Sequence, residues 1–491
     1  MSWPGAIAER TPDRIALVLG DMRMTYGELA RRAERLAGVL AQRGCRTGDT
    51  VAIVLGNSPE FFIAAWAAQM SGLYFVPMSE KMPTAERDHI LSDSGARIVL
   101  TRASGCAVAL PPEEWDGLTA GFERIEGSDM LYTSGTTGKP KGVKRPLAGA
   151  PLGSDARRTD RARDLFGMDQ QTVFLSPAPL YHAAPLRYAM TVQRLGGTVV
   201  AMERFDAARA LELIAAEQVT HSQWVPTMFS RILALPDRPA ANDHHVCAIH
   251  AGAPCPQDVK RRMIALWGPI LHEYYSGTEA VGFTHITSAE WLERPSSVGR
   301  AYGSTIHILD TDDGEVPIGE TGRVYFEGRT AHAYHGDPHK AAAATSAQGW
   351  ATMGDIGHMD ADGYLYLTDR AAFTIISGGA NIYPAQVEEA LMADPAVVDC
   401  AVFGVPDADL GEAVQAVVEL AAGQASDAQA AVRMADRLRE QVAGYKLPRA
   451  IAFVEHVPRM DSGKVRKRDL VEAYRDPAHR GFATRALEAA Q

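Results

Sequence analysis

Apolar and polar positions alternate along this chain with two different periods. From Tyr26 to Arg43, Leu29, Ala33, Leu36 and Leu40 recur at helical spacing and predict an amphipathic helix that stops at Gly44. Val51–Leu55 and Ala96–Leu100 are short apolar runs of the kind found in strands buried on both faces. Phe61 to Met78 lacks charges, but Gln69, Ser71, Gly72 and Pro77 interrupt it, and it falls short of the ~20 apolar residues that span a bilayer. It reads as a buried helix to Met70, a turn at Gly72 and a strand at Tyr74–Val76. Strand–helix–strand order over the first 125 residues predicts an α/β subdomain with a largely parallel sheet.

The pattern continues with a polar, Arg-rich helix over Asp155–Arg163, expected to be solvated, and a strand at Val173–Ser176. Then come a strand at Thr198–Met202, a helix at Ala207–Glu217 and a helix from Pro226 to Leu233, which make a second α/β subdomain. Val246–Ala251 reads as a buried strand. From Val298 to Asp369 the chain changes character. Ile306–Leu309, Gly322–Phe326 and Tyr364–Leu367 are short strands separated by Asp/Gly turns, so a small β-rich subdomain is expected. The remainder reads helix (Ala385–Ala393), strand (Val397–Val405), strand (Ala413–Leu420), helix (Gln429–Val442) and strand (Ile451–Val454), a compact α+β domain. The tail from Pro477 is expected to be mobile.

Composition narrows the class. The 491 residues call for two or more domains. A formal net charge of −11 argues against a nucleic-acid binder, which would show a basic stripe. Cys45, Cys106, Cys247, Cys255 and Cys400 are scattered without a C-x-x-C, which fits a reduced, cytoplasmic protein. Glu9 and Arg10 break up the N-terminus before any signal-type apolar region develops. His244, His245, Cys247, His250 and Cys255 cluster, but at no zinc-type spacing, and the buried-strand reading is preferred there. Nothing in the pattern sets the oligomeric state, so a homodimer stays open.

One stretch carries chemistry. Between Leu131 and Val143 stand Thr133, Ser134, Gly135, Thr136, Thr137, Gly138, Lys139, Lys141 and Gly142. Glycines permit close backbone approach, successive N–H groups form an anion-holding concavity, and the hydroxyls and lysines add donors and charge. This composition suits a polyphosphate. It is not a kinase-type P-loop: Gly135 and Gly138 are too close, Pro140 follows Lys139 where Ser or Thr should stand, and Pro146 disfavours a helix after the loop.

The stretch resembles the signature loop of the adenylate-forming superfamily, which includes acyl-CoA synthetases, firefly luciferase and nonribosomal peptide adenylation domains. Further motifs follow in that family's order. Pro179-Leu180-Tyr181-His182 resembles P-[LM]-[FY]-H, which implies that His182 shapes or gates the carboxylate pocket. Gly252 and Ala253 match small residues lining the adenine and acyl pockets. Tyr274-Tyr275-Ser276-Gly277-Thr278-Glu279 resembles Y-G-x-T-E, with the glycine shifted by one. The resemblance puts Tyr274 and Tyr275 at the nucleotide, Tyr275 on adenine, Thr278 on the α-phosphate and Glu279 on Mg²⁺, a hard cation suited to carboxylate oxygen. Gly349–Asp355 resembles G-W-x-x-T-G-D with Met353 for Thr, so Asp355 would accept the ribose hydroxyls and Arg370 would reach the same sugar. Ala372 stands at the family's hinge position. Ser377–Pro384, with Gly378 and Gly379, resembles the loop lining the pantetheine tunnel, and Pro458–Lys467 resembles the segment carrying the catalytic lysine, here Lys464.

The resemblance covers nearly the whole chain. It implies a large N-terminal AMP-binding domain (1–370) of two α/β subdomains plus the β-rich one, and a small mobile α+β C-terminal domain (371–491). It also implies an AMP-forming acyl-CoA synthetase using ATP, Mg²⁺, CoA and a small carboxylic acid. Residues near His182, Val225, Gly252–Ala253 and Gly277–Phe283 are mostly small or apolar, with no evident cation for a second carboxylate. A fatty or aromatic (cinnamate- or ferulate-like) acid is therefore expected. Two alternatives are an acyl-AMP ligase loading a carrier-protein thiol and a non-catalytic nucleotide-binding regulator. No L-G-x-x-S carrier stretch follows the small domain, and retention of Glu279, Asp355, Arg370 and Lys464 argues against the regulator.

Overall fold

The computed structural model describes residues 2–102, 109–115, 124–133, 140–154, 156–238, 243–328, 335, 338–370, 373–460 and 464–484. Three large sheets organise them. The first has five parallel strands in the order Ala109–Leu110, Ile98–Thr101, Thr50–Val54, Tyr74–Met78, Ser128–Asp129. All five residues of Thr50–Val54 are buried, as continuous apolar runs in parallel sheets require. Helix Pro59–Met70 is buried from Phe61 to Met70, and its start is fixed by the Ser58 hydroxyl accepting from the Phe61 N–H. It shares one core with Val51 and Ile53 of this sheet and with Phe174, Val199 and Ile249 of the next. The uncharged stretch is therefore filling between two sheets, and no helix among the described residues is long and apolar enough to cross a membrane.

The second sheet has thirteen strands and two characters. Ile15–Leu19, Thr198–Ala201, Val173–Ser176, His221–Trp224, Cys247–His250 and Leu271–Tyr275 run parallel in that order. Beyond Leu271–Tyr275 the pairing turns antiparallel through Thr284–Thr287 and Ser297–Ala301. It continues through Leu365–Arg370, Ala351–Met359, Gly322–Glu327 and Thr305–Leu309. The β-rich part has a small core of its own, including Val281, Ile308, Val324 and Phe326, yet it is hydrogen-bonded edge to edge with the α/β part.

The third sheet is built wholly from the C-terminal part, Ile375 to Ala483, and encloses two further cores, one around Val387, Val402, Val418 and Ile451, the other around Phe403, Val417 and Leu470. The fold is thus α/β, with a large N-terminal and a small α+β C-terminal domain.

Three expectations need correction. The strands Ile15–Leu19 and Met22–Thr25 lie in the first 125 residues but pair into the second sheet, because Leu17–Leu19 align with Val199–Ala201. The Arg-rich helix runs Arg157–Phe166 and is not simply solvated, since Thr159, Ala162 and Phe166 are buried and Arg158 turns inward to a carboxylate. The tail is tied down as far as Thr484: Phe482–Ala483 pairs with the strand Ala450–Val454, and Thr484 is buried.

Candidate active site

The parallel strands of the second sheet end at a cleft of about 3780 Å³. Crevices at the carboxyl ends of such strands are where open α/β sheets bind ligands. His182, Gly252, Tyr275 and Thr278 line it from the large domain. Glu279 and Asp355 do so too, and Lys464 lines the same cleft from the C-terminal domain.

The phosphate stretch enters and leaves as an antiparallel ladder, with Leu131 opposite Val143, Tyr132 opposite Gly142 and Thr133 opposite Lys141. A Cβ on Gly142 would come within 2.5 Å of the Met130 methyl, the flexible end of a side chain that would have to move aside. Ser134, Gly135, Thr136, Thr137, Gly138 and Lys139 lie outside the described residues. Just upstream, Asp129 is 3% exposed and accepts from three arginines: Arg145 at 2.6 Å, Arg158 at 3.2 Å and Arg187 at 2.7 Å. Burial alone would raise this carboxyl, but Arg145, Arg187 and Arg158 outweigh it and hold it well below the ordinary carboxylate range. Burial, reinforced by Arg145, pushes Arg158 down to about 9. Arg187 also donates to the Thr278 carbonyl at 3.2 Å. This cluster escapes a reading of the sequence, because its four members are spread over positions 129 to 187 and only the fold brings them to one carboxylate.

The second signature sits in the turn after strand Leu271–Tyr275. The Ser276 hydroxyl closes that turn on the Gly282 carbonyl at 2.6 Å, and Ala280 takes φ +55°. A Cβ on Gly277 would lie 2.7 Å from both the Glu279 carboxylate and the Met353 sulfur, flexible groups that would have to give way. The Tyr275 hydroxyl donates to Asp355, which is 6% exposed and stands opposite Arg370 in the ladder. The residues expected at adenine and ribose are thereby joined. Only the backbone of Arg370 is described, and Ala372 lies outside the described residues.

Gly252 has φ +93°, a left-handed conformation that favours glycine, while Ala253 follows it along the cleft wall. Tyr274 is more deeply set than a nucleotide contact needs. It stacks on Phe283 with centroids 4.9 Å apart and lies 5.8 Å from Tyr188, as part of the core between the sheets. His182 adopts an extended backbone immediately before helix Ala183–Leu195, its ring 4.4 Å from that of Tyr181. Lys464 is exposed, and its carbonyl accepts from the Met460 N–H at 2.9 Å, which closes the segment on itself.

Gly378 and Gly379 are not brought to the cleft. They form the exposed turn of the hairpin Ile375–Ile382, with φ +56° and +81°. In this arrangement the small domain presents its lysine to the cleft and holds its glycine turn outside.

The clustered histidines and cysteines go to separate partners. His245 Nε2 meets the Ser222 hydroxyl at 2.7 Å, while fully buried His250 lies 3.9 Å from Glu273, itself paired with buried Lys260 at 2.5 Å. Among the described residues no three His, Cys, Asp or Glu side chains gather as a metal cage. The Glu279 carboxylate in the cleft could hold Mg²⁺ together with substrate phosphates, the sparse protein ligation that this cation prefers.

Comparison with known proteins agrees with this geometry. The family described as AMP-binding enzyme matches residues 6–334, and the AMP-binding enzyme C-terminal domain matches residues 386–464. A feruloyl-CoA synthase from an Amycolatopsis species is 33% identical over 487 residues, covering 95% of this chain and 97% of that protein. A long-chain-fatty-acid–CoA ligase, FadD13, of Mycobacterium tuberculosis is 32% identical, covering 92% and 94%. The structure of o-succinylbenzoate coenzyme A synthetase from Bacillus subtilis with ATP and magnesium superposes with a TM-score of 0.84 at 28% identity, covering 96% of this chain and 99% of that one. With its two matched segments, its cleft and its ordered signatures, the chain belongs to the AMP-binding enzymes of the adenylate-forming superfamily, as an AMP-forming acid–thiol ligase.

Proposed function

We propose that this protein activates a hydrophobic carboxylic acid, aliphatic or aromatic, with ATP to an acyl-adenylate and passes the acyl group to CoA, releasing AMP and pyrophosphate. The observation that carries this reading is that Glu279, Asp355 and Lys464, from distant parts of the chain, line one cleft. A carboxylate oxygen attacks the α-phosphorus while pyrophosphate leaves, so two anions must be brought together. Catalysis is then chiefly positioning and charge neutralisation. Lys464 offers its ammonium to the carboxylate and α-phosphate, Thr278 a hydroxyl to that phosphate, and Thr133–Lys141 the grip on the departing pyrophosphate. Asp355 and Arg370 hold the ribose, Tyr275 faces adenine, and His182 borders the acid. Glu279 would hold Mg²⁺, which would supply charge neutralisation at the phosphates. In the second half-reaction the CoA thiol displaces AMP at the acyl carbon.

We take Arg370 as the end of the large domain, Ala372 as the hinge that lets Gly378–Gly379 replace Lys464, and the cytoplasm as the compartment. The cytoplasmic reading is supported by scattered free cysteines. The test is acid-dependent AMP release with a panel of fatty and aromatic acids ranked by kcat/KM, with CoA compared against a holo-carrier protein as acceptor. AMP release that needs an acid and CoA supports the reading. No acid-dependent AMP release sinks it, and strict preference for the carrier protein replaces the acceptor.

A further inference from the structure

Lys464 reaches the cleft from the small domain, so whatever fixes that domain against the large one also sets where the lysine stands. Helix Pro384–Met392 touches both sides of this problem. Val387 and Leu391 bury it in the C-terminal core. Its Glu388 pairs with Lys467 at 2.8 Å, three positions past Lys464, and the same carboxylate accepts from the Val402 N–H. The helix is thereby coupled to the segment that carries the lysine.

The large domain grips this helix at two places. The N-terminus makes no side-chain cap of its own through Tyr383. Instead the Asp369 carboxylate, in the strand Leu365–Arg370 of the second sheet, accepts the Ala385 N–H at 2.9 Å. A carboxylate there also meets the positive end of the helix dipole. One turn on, the Glu389 carboxylate accepts from Gln257 Nε2 at 2.8 Å, and the same amide group donates to the Ser296 hydroxyl at 2.6 Å. Gln257 opens helix Gln257–Trp267, directly after the Gly252–Pro256 wall of the cleft. Ser296 takes φ +71°, a sparsely populated conformation that persists only where its surroundings hold it. The cross-domain pair Arg466–Glu86, at 3.9 Å with side chains 48% and 25% exposed, contributes little by contrast.

The buried clusters of the C-terminal part contain only its own residues, so the grip is polar and opens without unpacking a core. From this geometry we infer that Gln257 and Glu389 are positioning residues for Lys464. Their bond holds helix Pro384–Met392, and with it the lysine, in the arrangement that serves acyl-adenylate formation, and it must break before the thiol step. This rests on the proposed pair of half-reactions and names what the domain rotation has to release.

The test compares ATP–pyrophosphate exchange with thioester formation from a supplied acyl-adenylate in the wild type, Gln257→Ala, Glu389→Ala, the double variant and Gln257→Lys. Each alanine variant is expected to lower exchange about fivefold, as loss of one partly exposed hydrogen bond to a charged group would, without slowing the thioester step. The double variant should lose no more than either single one, because both remove the same bond. Gln257→Lys sets an ammonium against Glu389 and should keep exchange while slowing the thioester step about threefold. Loss of folded enzyme would lower both half-reactions together. Unchanged exchange in both alanine variants, equal loss in both half-reactions, or losses that multiply in the double variant overturns the inference. Energy transfer between a dye on each domain reads the same bond without chemistry: the alanine variants should populate a longer distance, and an unchanged distribution also overturns it. A wild type without acid-dependent exchange, in which the dye distance still shifts, removes the activation reading and leaves the contact as a domain latch.

Discussion

The Arg187 guanidinium holds two segments at once. Its Nε and Nη2 reach Asp129, which leads into the phosphate hairpin, and Nη2 reaches the Thr278 carbonyl in the second signature. In the proposed mechanism both segments hold phosphates, which makes Arg187 a positioning residue that fixes their spacing. Lysine keeps the charge but loses the planar fork. Arg187→Lys is expected to lower kcat for ATP–pyrophosphate exchange by about tenfold, the order of effect expected when charged hydrogen bonds worth about 1.5–3 kcal/mol are misplaced. The fall in melting temperature should be small. A merely structural role would shift melting and leave exchange per folded enzyme unchanged. Lys464 gives a sharper expectation. Lys464→Ala should abolish exchange yet leave thioester formation from a supplied acyl-adenylate largely intact, because in the proposed mechanism the lysine neutralises charge only in the first half-reaction. Normal exchange in that variant would remove Lys464 from the mechanism.

Among the elements, strand Ser297–Ala301 is the seam between the parallel sheet and the β-rich part. It pairs with Thr284–Thr287 on one side and Leu365–Arg370 on the other. Gly299 lies at its centre with φ +92°, and a Cβ there would stand 2.0 Å from the His285 carbonyl oxygen. Backbone cannot yield as a flexible side chain does, so Gly299→Ala combines strain with overpacking and should cost about 1–3 kcal/mol or more. Chemical denaturation would measure it. Because Asp355 and Tyr275 flank this seam and meet across it, the KM for ATP should rise in the same variant, whereas a purely local defect would leave it unchanged.

At the scale of the molecule, buried histidines tie stability to pH. Burial pushes His245, His272 and His285 each down to about 4, with the His285 ring adding to the effect on His272. His245 Nε2 meets the Ser222 hydroxyl, whose oxygen also accepts from the Trp224 N–H, inside the core where burial disfavours the charged imidazole. These folded values lie below the ordinary value near 6.5. Between roughly pH 6.5 and 4 the unfolded chain therefore binds protons that the fold refuses. Stability is complete above about pH 6.5 and falls as pH drops, by about 1.4 kcal/mol per unit for each independent histidine. The hydrogen-bonded His272–His285 pair titrates jointly. Thermal melts from pH 7.5 to 4.5 should show this fall, and His245→Gln, which takes no proton, should make it shallower. A flat profile over that range would contradict the buried-neutral arrangement.

Local features are legible in the chain itself. Helix Tyr26–Gln42, the buried run Thr50–Val54 and the uncharged helix Pro59–Met70 were readable, because period and burial are written in neighbouring residues. The motifs naming Glu279, Asp355 and Lys464 were readable in the same way, since each is a short contiguous pattern. Pairing between distant segments emerges only when the chain folds. Ile15–Leu19 joins the second sheet because its partner strand lies some 180 residues on, and the Arg-rich helix turns inward because Asp129 waits there for Arg158. Gly378–Gly379 stays outside the cleft that Lys464 lines, although both belong to one domain. Gln223 and Tyr188, ordinary residues of a strand and a helix, become buried groups whose Oε1 and hydroxyl lack a partner among the described residues only through packing.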